Sequence, residues 1–230
     1  MGEVISLDQR RRARVESPGP KGPSGPGTSS GPAATLWFDL ASPSTYFAAE
    51  RADRMFPGLA WCPVLPGPRS ARTPLATPLR DLALRAAGAR ATELRMPLVW
   101  PDHDPAAGRS AMRVAAFAAD RAEASAFVLA ASRLAFCGGF DLDDPEILAE
   151  AAAAAALPLD ECLRAAGDRS RDAAMEAAGR RLTALGADRL PVLGLGRRLF
   201  CGEERLADAA AAARDPRGER RPAPLDEFAG

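Results

Sequence analysis

Thirty basic and thirty acidic residues cancel across 230, so no global field draws the chain to nucleic acid or to an anionic membrane. At 47% hydrophobic the chain can build one sizeable core, or a small domain carrying a large insertion. A single histidine, His103, excludes a multi-histidine metal centre, and four scattered cysteines without a C-x-x-C argue against zinc and against a paired redox thiol.

Residues 1–33 hold few apolar side chains, and Pro18 to Pro32 is a run of Pro, Gly and Ser. Such a segment cannot bury enough apolar surface to offset its ordering entropy, which predicts a disordered tail. Its basic cluster, Arg10 to Arg14, precedes no apolar stretch of the kind a secretory signal needs. No apolar run approaches the ~20 residues that span a bilayer. The expected compartment is the cytoplasm, where Cys62, Cys137, Cys162 and Cys201 read as free thiols. A disulfide between distant members is the alternative.

Leu36–Leu40 predicts a strand, ended by the turn signal Ser42-Pro43. Serine at an N-cap and proline at the first helical position start a helix well. Tyr46, Phe47, Ala49, Ala52 and Phe56 then fall at helical spacing, and Pro57-Gly58 stops the helix. Leu59–Leu65 predicts a second strand, with Pro63 favouring an edge, a bulge or a strand end. A helix over Leu79–Ala87 is expected to stop at Gly88, and Met96–Pro105 reads as a proline-punctuated loop. Ser110–Phe136 reads as one helical stretch closed by Gly138-Gly139. Asp144-Pro145-Glu146 opens a helix through Ala156, followed by helices over Leu159–Ala165 and Arg169–Leu185. Leu190–Leu195 and Arg197–Cys201 predict a hairpin. Glu203–Ala213 predicts a last helix, with two carboxylates in its first turn where the macrodipole favours them. The residues from Arg214 to Gly230 read as a mobile tail.

The order β-α-β, many helices, β-β-α is the connectivity of a thioredoxin-like α/β fold with a large all-helical insertion. The thioredoxin-like domain is expected at 34–66 and 186–213, and the insertion subdomain at 67–185.

Four motifs then stand in a specific order. They are F-D-L-A-S-P-S-T-Y from Phe38 to Tyr46, S-A-M-R-V-A-A-F-A-A from Ser110 to Ala119, Leu190-Pro191-Val192, and L-F-C-G-E-E-R-L from Leu199 to Leu206. With them the chain resembles the DsbA-like branch that holds 2-hydroxychromene-2-carboxylate isomerases and kappa-class glutathione transferases, over roughly Leu36 to Ala213. The resemblance implies a thiol cofactor (glutathione or another low-molecular-weight thiol), no metal, a small-molecule substrate of aromatic degradation, and a homodimer.

In this family the serine before the proline lies close to the glutathione sulfur, a role that maps onto Ser42. A helix N-terminus presents unpaired N–H groups and a positive dipole end, which lower a nearby thiol's pKa. A hydroxyl at the cap can donate a further hydrogen bond. The plainer reading of Ser42 is a helix cap worth about 1 kcal/mol. Thr45 stands with Ser42 where a redox relative would carry cysteines. The resemblance also implies a cis Leu190–Pro191 bond, with the Leu190 backbone pairing an extended ligand as an added strand would. Without it, a proline at a strand's first residue is ordinary.

Kappa-class relatives hold the γ-glutamyl end of glutathione with a Ser-Asp pair after the glycine, at positions that here are Glu203 and Glu204. Glu204 keeps the acid that would meet the ligand ammonium. Glu203 departs, placing a second negative charge near the expected ligand carboxylate. Two like charges ~4 Å apart repel by ~4 kcal/mol at an effective dielectric of ~20. Stabilisation of a first helical turn is the plainer role for both. His103, the one ordinary acid–base group titrating near neutrality, and Trp100 lie in the proline-rich loop expected to face the substrate pocket. An exposed histidine and a packed tryptophan are the alternatives.

The expected activity is a thiol-dependent isomerase or glutathione-transferase-like reaction, in which a thiolate near Ser42 adds to a conjugated substrate. A thiol-disulfide oxidoreductase is argued against by Ser42 and Thr45. The non-enzyme alternative is a DsbA-family homologue lacking C-x-x-C that binds a protein partner without catalysis.

Overall fold

The computed structural model describes residues 34–65, 77–100 and 108–214. β1 (Ala34–Phe38) pairs in parallel with β2 (Ala60–Pro63) and antiparallel with β3 (Val192–Leu195). β3 in turn pairs antiparallel with β4 (Arg198–Cys201), giving the order β2-β1-β3-β4. A parallel pair needs a crossover, and α1 (Pro43–Ala49) with the short α2 (Ala52–Met55) supplies it. Every residue of the interior strand β3 is buried, as a strand covered on both faces requires. Pro63 ends β2 at the sheet edge, where a missing N–H costs no ladder bond. This is the expected thioredoxin-like fold.

Between β2 and β3 the chain forms α3 (Thr77–Leu94), α4 (Arg109–Asp120), α5 (Ala124–Phe136), α6 (Pro145–Ala154), α7 (Leu159–Gly167) and α8 (Asp172–Ala184). A 3-10 turn at Arg169–Arg171 leads into α8, and another at Glu203–Arg205 leads into α9 (Leu206–Arg214). The expected tail at 1–33, the segment 66–76 and residues 215–230 of the expected tail at 214–230 lie outside the described residues, while Arg214 itself ends α9.

Three helix boundaries depart from expectation. α3 runs through Gly88 to Leu94, since one glycine among alanines costs only about 1 kcal/mol. It stops at Arg95, in the left-handed region at φ 55°, where the Met96 N–H returns to the Ala91 carbonyl at 2.9 Å. The stretch Ser110–Phe136 is two helices, broken at Ala122 (φ 60°), with the Glu123 N–H closing onto Ala118 at 2.8 Å. The helix expected to reach Phe56 breaks at Arg51 into α1 and α2.

The sheet and the insertion share one core. Tyr46 and Phe47 of α1 join Phe38 of β1 and Phe127 and Phe136 of α5 in a single apolar cluster. The Tyr46 and Phe136 rings stack with centroids 6.2 Å apart, and Phe38 meets Trp61 edge-on at 5.6 Å. α8 closes the second face near Val64, Leu182 and Val192. Gly179 permits its approach: a Cβ there would stand 2.3 Å from the Leu65 carbonyl oxygen. Within the insertion, Arg113 grips Asp172 through two bonds of 2.7 and 2.8 Å, tying α4 to α8.

Candidate functional site

Strand register gathers three of the motifs at one end of the sheet. Trp37 lies opposite Val192, and Val192 opposite Cys201. The carboxyl end of β1, the amino end of β3 and the carboxyl end of β4 therefore coincide. Ser42 follows the first, Leu190-Pro191 precedes the second, and Gly202-Glu203-Glu204 follows the third. The Gly202 N–H donates to the Pro191 carbonyl at 2.8 Å, joining the last two directly. The Leu190–Pro191 peptide bond is cis.

Ser42 is the N-cap of α1, in extended backbone (φ −119°, ψ 133°), with Pro43 at the first helical position. Its Oγ accepts from the Ser44 N–H at 3.2 Å. A hydroxyl that accepts one bond keeps its own O–H to donate. No acidic residue occupies the first turn of α1, so no carboxylate on that turn opposes an anion at the cap. The side chain at this cap carries a hydroxyl and no thiol, which removes disulfide exchange there. Thr45 is fully buried, and its hydroxyl has no hydrogen-bond partner among the described residues. It stands inside the core behind Ser42 rather than at the surface.

Glu203 is placed differently from the ligand-side charge that its sequence position suggests. It is 3% exposed. Its carboxylate is held by Arg51 and by Arg90, whose Nε reaches it at 2.5 Å. Arg51 also donates to the Phe47 carbonyl at 3.0 Å, so Glu203 fastens the end of α1 and the carboxyl-terminal part of α3 to the turn after β4. Two guanidiniums neutralise the carboxylate, and the like-charge repulsion against a ligand does not arise from it. The partnership holds the Arg90 guanidinium well above its ordinary range, chiefly through the hydrogen bond to Glu203. Glu204 is the exposed member: its side chain is 45% exposed and 3.6 Å from Arg189 Nε. Gly202 makes this turn possible, since its φ of 89° is a backbone conformation that residues with a Cβ rarely adopt.

Trp100 is half-buried and meets Phe136 edge-on at 6.2 Å, two ring contacts from Tyr46 and thus from the first turn of α1. The structure packs it against the core beside the site. His103 lies outside the described residues. All four cysteines are free, and burial pushes the Cys62 and Cys162 thiols up, away from nucleophilic character. Cys137, after α5, lies 3.0 Å from the Tyr46 hydroxyl; burial and this neighbour push the Tyr46 phenol up. Among the described residues no group of three or more His, Cys, Asp or Glu is placed to hold a metal ion, and no helix is long and apolar enough to cross a membrane.

Arg51 and Arg90 escaped the sequence reading, as did the contact of the free thiol Cys137 with Tyr46. Arginine supplies all but one of the basic residues, so an individual arginine carries no positional signal. Pairing across 113 and 152 residues is visible only once the chain is folded.

A thiol's sulfur fits the cap at Ser42, where a hydroxyl and helix N–H groups converge without an opposing first-turn carboxylate. Of the two acids that follow Gly202, only Glu204 keeps an exposed carboxylate.

No family model matches the chain, and no curated protein matches it in sequence. Its fold is similar to that of 2-hydroxychromene-2-carboxylate isomerase, with a TM-score of 0.65 and 16% identity, covering 78% of this chain and 93% of that one. It is also similar to a probable DsbA oxidoreductase from Streptomyces coelicolor (TM-score 0.60, 22% identity, covering 84% and 93%). A third is the cytosolic disulfide reductase DsbM from Pseudomonas aeruginosa, solved with GSH (TM-score 0.57, 21% identity, covering 79% and 97%). At these identities the likeness establishes the fold, a DsbA-like thioredoxin fold with its helical insertion.

Proposed function

We propose that the chain is a thiol-dependent enzyme of the hydroxychromene-carboxylate-isomerase and kappa-transferase type, with Ser42 as its catalytic residue. The observation that carries this is the cap itself: a serine hydroxyl that accepts from the Ser44 N–H, at a helix start free of first-turn carboxylates, beside the Leu190-Pro191 and Gly202–Glu204 segments. A bound low-molecular-weight thiol, glutathione or another, supplies the nucleophile for a conjugated, aromatic-derived small molecule. Ser42 donates its O–H to the sulfur, and the α1 amides add their dipole. The Leu190 backbone aligns the thiol's peptide-like stem, and Glu204 receives its ammonium group. Trp100 borders the substrate side. Return of the thiol makes the reaction an isomerisation; its retention makes it a transfer.

Thermal-shift titration against glutathione, cysteine and other small thiols tests this. Saturable stabilisation that Ser42→Ala weakens supports the reading, and no response to any thiol contradicts it.

A second reading has its own observation. Because Arg51 and Arg90 occupy Glu203, the ligand-facing acid pair is reduced to one carboxylate. That favours a non-catalytic DsbA-family module that binds a protein partner. Such a module would bind no thiol.

A further inference from the structure

We propose that the cleft between α1, the carboxyl end of α3 and α5 is a second small-molecule site, and that it takes a medium-chain aliphatic monocarboxylate. The inference stands apart from the function proposed for Ser42. The cleft has a volume of about 450 Å³, within the usual range for a small-ligand site. It runs along Tyr46, Glu50 and Arg54, successive positions leading away from Ser42 toward α2.

Charge bookkeeping selects a monoanion. Arg133 is held by Glu50 through two bonds of 2.5 and 2.7 Å. Arg51 and Arg90 share Glu203, and Arg90 also binds Glu93 at 2.8 Å. Of the three guanidiniums in the lining (Arg51, Arg54, Arg133), Arg133 is paired with Glu50 and Arg51 with Glu203, leaving one positive charge. Arg54 is the guanidinium with no carboxylate partner among the described residues; its Nη2 donates to the Glu50 backbone carbonyl at 2.6 Å. Its remaining N–H groups stand at the cleft and match one carboxylate. A dianion would bring a charge that nothing there compensates.

The wall selects the rest of the ligand. Leu94 and Met96 are half-buried and Pro97 is exposed, all three in the lining. Tyr46 lines the cleft too, but at 2% exposure it offers little ring surface for stacking. The available apolar surface is therefore aliphatic, and methionine adapts its shape to a flexible chain.

The test is calorimetric titration of the full chain with sodium octanoate, with 1-octanol as the neutral probe. The expected result is saturable octanoate binding, at least about tenfold tighter than octanol, since one charge-assisted hydrogen bond is at stake. Arg54 is exposed, so Arg54→Gln leaves the fold intact and should weaken octanoate by about tenfold while leaving octanol unchanged. Octanoate should also slow alkylation of Cys137, which lines the cleft, and saturating glutathione should not displace it. Absence of octanoate binding, equal binding of octanol, indifference to Arg54→Gln, or displacement by glutathione would each overturn the proposal.

Discussion

Replacing Glu203 by Gln keeps the side-chain shape and removes the charge that Arg51 and Arg90 share. The carboxylate side chain is 4% exposed, whereas the two guanidiniums are 26% and 31% exposed. Breaking one side of a fully buried pair costs about 3–5 kcal/mol, and an exposed pair is worth about 0–1 kcal/mol. Here the orphaned arginines regain part of their hydration, so the expected loss is about 2–3 kcal/mol. In urea that appears as a lower midpoint at an unchanged slope. On heating, a domain of this size should lose about 4–12 °C. Arg90→Gln and Glu203→Gln should be non-additive, with a coupling of about 1–2 kcal/mol, because they remove the same contact. A Glu203→Gln variant as stable as the parent but with altered thiol affinity would refute the reasoning, since the carboxylate would then face a ligand.

Other outcomes follow from the same geometry. The Arg113 guanidinium holds the Asp172 carboxyl below its ordinary range. A depressed folded value means that the pair stabilises fully above the ordinary carboxylate range, near pH 4, and is lost as pH falls through the folded value. Asp172→Asn should therefore flatten the acid limb of a stability–pH curve, and an unchanged limb would contradict the pairing. Gly179→Ala should destabilise by about 1–3 kcal/mol despite alanine's better helix propensity, because its Cβ meets the Leu65 carbonyl; a gain measured by urea unfolding would mean that α8 does not dock there. Insulin-disulfide reduction should be negligible, since disulfide exchange needs a nucleophilic and a resolving thiol. Turnover abolished by Cys62→Ser or Cys201→Ser would contradict that.

The fold was legible because its signals are local. Ser42-Pro43 and Asp144-Pro145 cap their helices as their residue types dictate, with each side chain accepting from the second residue beyond it. Strands β3 and β4 lie where apolar runs flank the turn at Gly196-Arg197. What the sequence concealed is conformation set by packing. Ala122 and Arg95 adopt positive φ with no glycine to announce it, and Gly88 stays helical within α3. The site divides the same way. Ser42, Leu190 and Pro191 sit in motifs and converge through register. Glu203 read as a ligand-side charge because its partners, Arg51 and Arg90, come from helices distant in the chain. Buried Thr45 shows the limit of spacing alone: one helical turn from Ser42, its side chain points into the core.

The central claim is that the Ser42 hydroxyl stabilises a thiolate, beyond capping α1. Ultraviolet absorbance of the thiolate of bound glutathione, followed against pH in the parent chain and in Ser42→Ala, tests it most directly. The account expects a bound thiol pKa below the ~8.5 of a free cysteine thiol, rising in the variant. Activity should fall about 10- to 100-fold for one lost charge-assisted hydrogen bond, while stability falls by only about 0.5–2 kcal/mol. A thiol pKa unchanged by Ser42→Ala would contradict the account and leave Ser42 as a helix cap alone.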